Sequence, residues 1–190
     1  RLLRLTKASE VQDASSTPRS RSEVSYDHTN YDSSNTKAGN PTVTKAWDSY
    51  KGGIARSYSN PLTSTNSITT SATYNSYGMP QTSTDANDIE TQLIYGNVTC
   101  PGGTVSDLYP TQKVIALDTS VAITSSATYD CSTGAVITST DEDNDITNAT
   151  QYDALGRPIK AITALGTTLE SWTITEYHDD DRFVVVKSDL

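Results

Sequence analysis

The side chains able to do chemistry are few: two histidines, two cysteines and a scatter of acidic clusters. His28 adjoins Asp27 and His178 adjoins Asp179. A general acid or base needs a nucleophile, a metal or a substrate proton within hydrogen-bond reach. Neither histidine has a partner at such a spacing, so both read as turn residues. No GxSxG elbow, P-loop or HExxH occurs. The sequence therefore predicts no enzyme, no cofactor and no catalytic or metal site.

The acidic clusters ask for a finer comparison. Asp141, Glu142, Asp143 and Asp145, and then Asp179 to Asp181, could offer oxygens to a hard cation such as calcium. An EF-hand loop counted from Asp141 needs Gly sixth and Glu twelfth, where this chain has Ile146 and Tyr152. Asp85 and Asp88 hold the matching place earlier in the chain, as a shared turn requires. The turn is the expectation, and weak calcium binding the alternative. Cys100 and Cys131 have 30 residues between them and lie in no CxxC. Two thiols without His partners cannot close a four-ligand zinc site. Two readings stay open: a disulfide in an exported protein, or unpaired packing residues. Asn97-Val98-Thr99 and Asn148-Ala149-Thr150 fit the glycosylation sequon, a triplet common by chance in a Thr-rich chain.

The elements carrying these residues are most legible around 151–163, QYDALGRPIKAIT. Tyr152 closes one strand, Asp153 can bond back to nearby N–H groups, and Gly156 supplies a turn's positive φ. Ile159 to Thr163 then reads as the return strand. The stretch ITSSATYDCSTGAVITSTDEDNDI (123–146) matches ITTSATYNSYGMPQTSTDANDI (68–89) almost residue for residue. The offset is 55 at Tyr74 and Tyr129 and 57 at Ile89 and Ile146, which places two one-residue length changes in turns. Further tyrosines follow at intervals of 21 (Tyr74 to Tyr95), 23 (Tyr129 to Tyr152) and 25 (Tyr152 to Tyr177). Recurrence at such an interval is the mark of a repeat architecture. Tyr74, Tyr129 and Tyr152 are expected at equivalent strand ends, with Gly78, Gly134 and Gly156 in the turns that follow.

These residues carry a resemblance. YDALGRPIK resembles the YD repeat of the rearrangement-hotspot (Rhs) proteins, in which YD and two residues precede GRL or GRP. ATYDCSTGAVITSTDEDND resembles its companion half, and ESWTITEYHDDDRFVVVKSDL resembles a further repeat start. The likeness is good over 68–190 and looser over 20–67. It makes Tyr74, Gly78, Tyr129, Asp130, Gly134, Tyr152, Asp153, Gly156 and Arg157 the repeat-defining residues. Proteins of that family wind such repeats into a hollow β-shell that encloses a C-terminal toxin or effector, and related repeats occur in insecticidal toxin complexes and in teneurins. Those shells are far longer than 190 residues. No effector domain and no self-cleaving core segment is recognisable here.

Composition agrees with a thin β-rich object. Leu, Ile, Val and Phe number 34 of 190 residues and the net charge is −9, close to the boundary of disorder. Eleven Tyr, two Trp and period-two alternation pull it back. In 121–129 one face carries Val121, Ile123, Ser125, Ala127 and Tyr129, as in a strand with one wet face. The expected fold is all-β: tandem β-hairpin (YD) repeats forming an extended curved or spiralling antiparallel sheet. The expected divisions are 1–24 as an N-terminal arm or the end of a preceding repeat, 25–67 as degenerate repeats opening at Tyr26-Asp27 and Tyr31-Asp32, 68–122 as a repeat with a long surface loop at 97–110, and 123–190 as repeats ending in strand 183–187. Turns are expected at Gly39-Asn40-Pro41 and Lys51-Gly52-Gly53, with a strand from Thr42 to Trp47.

Residues 1–60 carry nine Lys/Arg against six Asp/Glu, and 61–190 carry five against 17; the sums of +3 and −12 return −9. An acidic body disfavours nucleic acid. Leu2, Leu3 and Leu5 fall short of a signal peptide's apolar core, and no run approaches a membrane span. Without an initial Met, the chain reads as a processed or excised piece. The implied function is a structural segment of an exported Rhs-like scaffold or shell. A self-assembling extracellular or cell-surface fibre subunit is the alternative. Partners are further copies or the rest of a longer Rhs-like chain, with no nucleic acid and no membrane span. Val184, Val185 and Val186 are the expected assembly edge, to be broken by Pro at Val185.

Overall fold

The computed structural model describes residues 5–27, 39–48, 57–100 and 102–189. His28, the Tyr31-Asp32 repeat opening and the 51–53 turn lie outside the described residues. Every regular element described is a β-strand, as expected of a chain rich in Thr, Ser and Tyr. The chain divides into two compact units. The first, 1–92, holds β1 (Ala8–Gln12), β2 (Pro18–Tyr26), β3 (Pro41–Trp47), β4 (Ser67–Tyr74), β5 (Pro80–Thr84) and the start of β6 (Glu90–Tyr95). The second, 93–190, holds the rest of β6, then β7 (Val98–Cys100), β8 (Gly103–Val105), β9 (Pro110–Ile115), β10 (Ile123–Tyr129), β11 (Val136–Asp141), β12 (Ile146–Tyr152), β13 (Pro158–Thr163), β14 (Ser171–His178) and β15 (Phe183–Ser188).

Thirteen strands follow one another in chain order in a single antiparallel sheet, and β7 and β8 pair only with each other. The expected all-β fold of tandem hairpins is what the chain adopts. The 97–110 stretch, expected as an irregular loop, instead contains the β7–β8 pair, in which Val98, Thr99 and Cys100 stand across from Val105, Thr104 and Gly103.

The Tyr-ended hairpins share one local device. The register shifts by one residue at Tyr26, Tyr74, Tyr129 and Tyr152, which oppose Pro41, Pro80, Val136 and Pro158. Three of these exit residues are Pro at the first position of a strand, where no ladder donor is lost. Facing hydroxyls tie the strands further: Thr73 to Thr82 at 2.8 Å, Thr128 to Thr138 at 2.6 Å and Thr140 to Thr147 at 2.9 Å. Each such cross-strand pair contributes roughly 0.2–1 kcal/mol.

The apolar face expected along 121–129 is uncovered at its start, while Ala127 and Tyr129 are half-buried. Val121 lies in the connection before β10 and is 70% exposed, and Ile123 is 54% exposed. Ile68 and Ile146 also stay in water. Among the described residues the buried apolar side chains are Leu62, Ala116, Ile162 and Ala164. Alternation in these strands thus reflects residues that tolerate a wet pleat, and burial concentrates in the connections. In unit 1, Leu62, Asn66 and Ser67 are buried where the β3–β4 connection folds on itself. The Asn66 amide donates to Ser57 O (2.9 Å) and Ser59 Oγ (2.8 Å), and its Oδ1 accepts the Thr63 N–H (3.0 Å).

In unit 2 the β9–β10 and β13–β14 connections use a shared motif that the sequence reading passed over. Ala116 and Ala164 have positive φ, and so do Asp118 and Gly166 two residues on. Thr119 and Thr167 each return both N–H and Oγ1–H to the alanine carbonyl. The signal was ALDT at 116–119 and ALGT at 164–167.

Candidate functional site

The candidate site is a recurring corner, built from an Asp or Asn just after a strand. Asp153 Oδ1 accepts the N–H groups of Leu155 and Arg157, both at 2.9 Å. Asn75 does the same for Tyr77 (3.0 Å) and Met79 (2.9 Å), and Asp85 for Asn87 (2.8 Å) and Ile89 (2.9 Å). The third residue after each has positive φ: Gly156, Gly78 and Asp88. Asp130 and Asp141 instead accept from residues two and three ahead, and positive φ falls on the fourth, Gly134 and Asp145. One extra residue in each of these two turns accounts for the drift in offset from 55 to 57.

Within the acidic cluster at 141–145, Asp141 serves this task and Asp143 ties the turn to β10. Asp141 Oδ2 accepts the Asn144 side-chain amide (2.8 Å), and Asp143 accepts the Thr124 N–H (2.8 Å). Hydrogen bonds hold the Asp153, Asp130 and Asp141 carboxyls below their ordinary range, led by the Arg157 N–H, the Thr133 N–H and the Asn144 amide respectively.

The tyrosines link successive hairpins. Tyr74 Oη donates to Pro41 O (2.9 Å), Tyr129 to Pro110 O (2.8 Å), Tyr152 to Val136 O (2.9 Å) and Tyr177 to Pro158 O (3.1 Å). Tyr26 donates to Thr6 O at 2.9 Å. The register is the same each time. The accepting residue lies across from the residue just before the tyrosine, as extension of the Val43–Ser71, Gln112–Ser126, Thr138–Ala149 and Lys160–Ile174 pairings shows. In four of the five the acceptor is also the first residue of its strand, so each of those corners is tied to the next. Tyr95 is the exception: among the described residues its hydroxyl has no hydrogen-bond partner, and burial, then Tyr129, raise its pKa.

Arg157 clamps two corners. Its Nε donates to Asp153 Oδ2 (2.8 Å), and Nη1 and Nη2 reach the two oxygens of Asp179 at 2.7 and 3.0 Å. Its guanidinium carbon sits 4.1 Å from the Tyr177 ring centroid. The fork geometry and the aromatic face are what a lysine could not reproduce.

Cys100 and Cys131 form a disulfide with Cα atoms 5.6 Å apart, tying the β7–β8 hairpin to the Asp130 turn. Tyr109 stacks on Tyr129 at 5.0 Å. Gly134, with φ of +70°, would place a Cβ 3.1 Å from the Tyr109 ring. Of the two sequons, Asn97 is exposed, whereas Asn148 Oδ1 accepts the Ala164 N–H at 3.1 Å.

His178 stacks on Phe183 at 4.3 Å, its partner across the hairpin, with Glu176 4.0 Å from Nε2.

Unit 1 contains a charge cluster that no motif announced. Arg21 bonds Glu23 (2.7 Å), Glu10 (2.9 Å) and Asn60 (2.7 Å), and Tyr58 donates to Glu10. Glu23 also accepts the Leu62 N–H at 3.0 Å, so the cluster pins the β3–β4 connection. The Tyr58 hydroxyl leads in holding Glu10 below the ordinary range; burial raises Glu23, but Arg21 and the Leu62 N–H outweigh it. Only the alternation of Glu10 and Gln12, and of Arg21 and Glu23, on paired strands pointed toward it.

The class is therefore an antiparallel sheet of tandem hairpins, stitched corner to corner by Tyr-Asp turns. No protein-family model matches the sequence, and no curated protein matches it. Solved structures do share its fold. The crystal structure of TcdB2-TccC3-Cdc42 matches 95% of this chain with a TM-score of 0.57 and 16% identity. A Photorhabdus luminescens Tc holotoxin pore with a variant TccC3 matches 96% with a TM-score of 0.52 and 13% identity. The chain spans 9% and 11% of the lengths of those two chains. At such identities the likeness is one of fold, and it falls on toxin complexes, one of the settings in which the YD resemblance places such repeats.

Proposed function

We propose that this chain is a non-enzymatic structural segment of an exported Rhs-like β-scaffold or shell. The observation that carries the reading is the tyrosine stitch, found in the same register at five corners. Its donors and acceptors are consumed in joining hairpins, and its carboxylates in closing turns. Such a device extends a sheet without preparing a reaction. The toxin-complex fold supports the same reading, and the disulfide fits an oxidising, extracellular setting. The partner is then the remainder of a longer repeat chain.

Electron microscopy of the native protein tests this. These strands should lie within the wall of a larger β-structure. Finding them as a separate catalytic body would overturn the reading. A second reading, a fibre subunit joining copies by strand edges, is favoured by β15, where Val184 and Val186 are exposed. The same micrographs would show filaments in that case.

A further inference from the structure

The stitch predicts what β15 is built to receive. In each Tyr-ended hairpin the exit residue stands two places after the positive-φ residue: Pro80 after Gly78, Val136 after Gly134, Pro158 after Gly156. In the β14–β15 hairpin the positive-φ residue is Arg182, which makes Val184 the exit residue, and Val184 opposes Tyr177. Its carbonyl direction follows from the ladder. The Asp189 N–H donates to Trp172 O at 3.3 Å, and the register from Phe183 to Ser188 runs without a shift. Backbone groups alternate along a strand, so 183, 185, 187 and 189 face β14. Val184, Val186 and Ser188 face outward. Among the described residues no strand lies beyond them.

We propose that the outer edge of β15 is a docking edge for an antiparallel strand ending in tyrosine, with that hydroxyl donating to the Val184 carbonyl. The incoming tyrosine stands one residue past the residue opposite Val184, the register of the five existing stitches. The occupant is a further strand of the YD type. It is not a second copy of either sheet edge, because β1 (ASEVQ) and β15 (FVVVKS) contain no tyrosine. The inference rests on the scaffold reading and adds the identity of the neighbouring strand. It also corrects the expected effect of Pro at Val185: that N–H faces β14, so the substitution would damage the hairpin itself, whereas Val186→Pro removes an outward donor.

The test uses the ¹⁵N-labelled 190-residue chain and a synthetic peptide, ITNATQYD, copied from residues 146–153. Amide shifts should change at Val184, Val186 and Ser188, and Tyr→Phe in the peptide should weaken binding about three- to tenfold. Val186→Pro should abolish binding while β14 amides keep their protection. Equal binding by the Phe peptide, shifts confined to Val185 and Lys187, or no shift at all would overturn the proposal. The peptide arm leaves the protein unaltered, so a misfolded Val186→Pro chain does not obscure the result. A failure here with these strands still found in a shell wall refutes the docking rule alone.

Discussion

The two units solve one problem in different ways. Unit 2 is regular: short turns closed by Asp130, Asp141 and Asp153, two matching Ala-Leu-x-Thr connections, the Arg157 clamp and a disulfide. Unit 1 keeps the Asn75 and Asp85 turns and adds a folded connection around Leu62 and Asn66, pinned to β1 and β2 through Arg21, Glu10 and Glu23. Unit 2 is therefore held by many small, repeated and partly covalent ties. Unit 1 depends on a few charged groups acting together. A thin sheet with little apolar burial can be stabilised by either means, but the two should fail under different conditions.

Acid should separate them most. A carboxylate whose folded pKa lies below its unfolded value stabilises the fold above that ordinary value, 4.5 for Glu10 and Glu23. The contribution is lost as pH falls through the folded value. Protonating Glu10 and Glu23 removes both carboxylate partners of Arg21 and releases the Leu62 N–H; acid also protonates Asp130, Asp141 and Asp153 of unit 2, but it leaves the disulfide there intact. Hydrogen exchange across pH 5 to 2 should show β1 and β2 losing protection before β10 to β13. Simultaneous loss would mean that the Arg21 cluster is not what holds unit 1.

The disulfide sharpens the contrast from the other side. Cys100→Ser with Cys131→Ser opens a loop of sequence separation 31, which in the chain-entropy model costs about 3–4 kcal/mol. Denaturant unfolding followed by exchange should locate that loss in unit 2, with unit 1 unchanged. An equal shift in both units would show that they unfold as one.

What the sequence revealed divides along the same line. The repeats at 68–89 and in unit 2 were legible because period-two strands, Tyr-Asp pairs and Gly turns are local signals, and a one-residue insertion leaves them aligned. The Arg21 cluster was not, since it joins residues 10, 21, 23, 58 and 60 through strand pairing and a folded connection. The uncovered face of β10 was also missed: alternation records a pleat and does not say what lies against it. The Ala116 and Ala164 turns were missed because positive φ at Ala is uncommon, and attention to Gly and Asp passes over it.

The turns allow a finer comparison inside unit 2. Gly134→Ala must accept both φ of +70° and a 3.1 Å approach to Tyr109, whereas Gly156→Ala meets nothing nearer than Thr133 Cγ2 at 3.9 Å. The left-handed conformation alone costs roughly 1–2 kcal/mol for a residue with a Cβ. Thermal melts should therefore place Gly134→Ala below Gly156→Ala. The reverse change, Arg182→Gly at φ of +58°, removes that strain and should raise the melting temperature slightly.

The smallest effect bears most directly on the stitch. Tyr→Phe removes one hydroxyl and keeps the ring, so it isolates the bond to the exit carbonyl. Removing such a bond costs about 0.5–1.5 kcal/mol, with these half-exposed tyrosines toward the lower end. Tyr129→Phe and Tyr152→Phe should each show that loss, because their acceptors lie at 2.8 and 2.9 Å. Tyr95→Phe should be silent in stability at neutral pH, since that hydroxyl donates to no described residue. Alkali acts on both rings alike, since burial raises the pKa of Tyr95 and of Tyr129: each contribution is complete below the ordinary value of 10.0 and is lost as pH rises through the folded value. If Tyr95→Phe costs as much as Tyr152→Phe, the rings and not the hydroxyls join the hairpins, and the register rule for β15 loses its chemical basis.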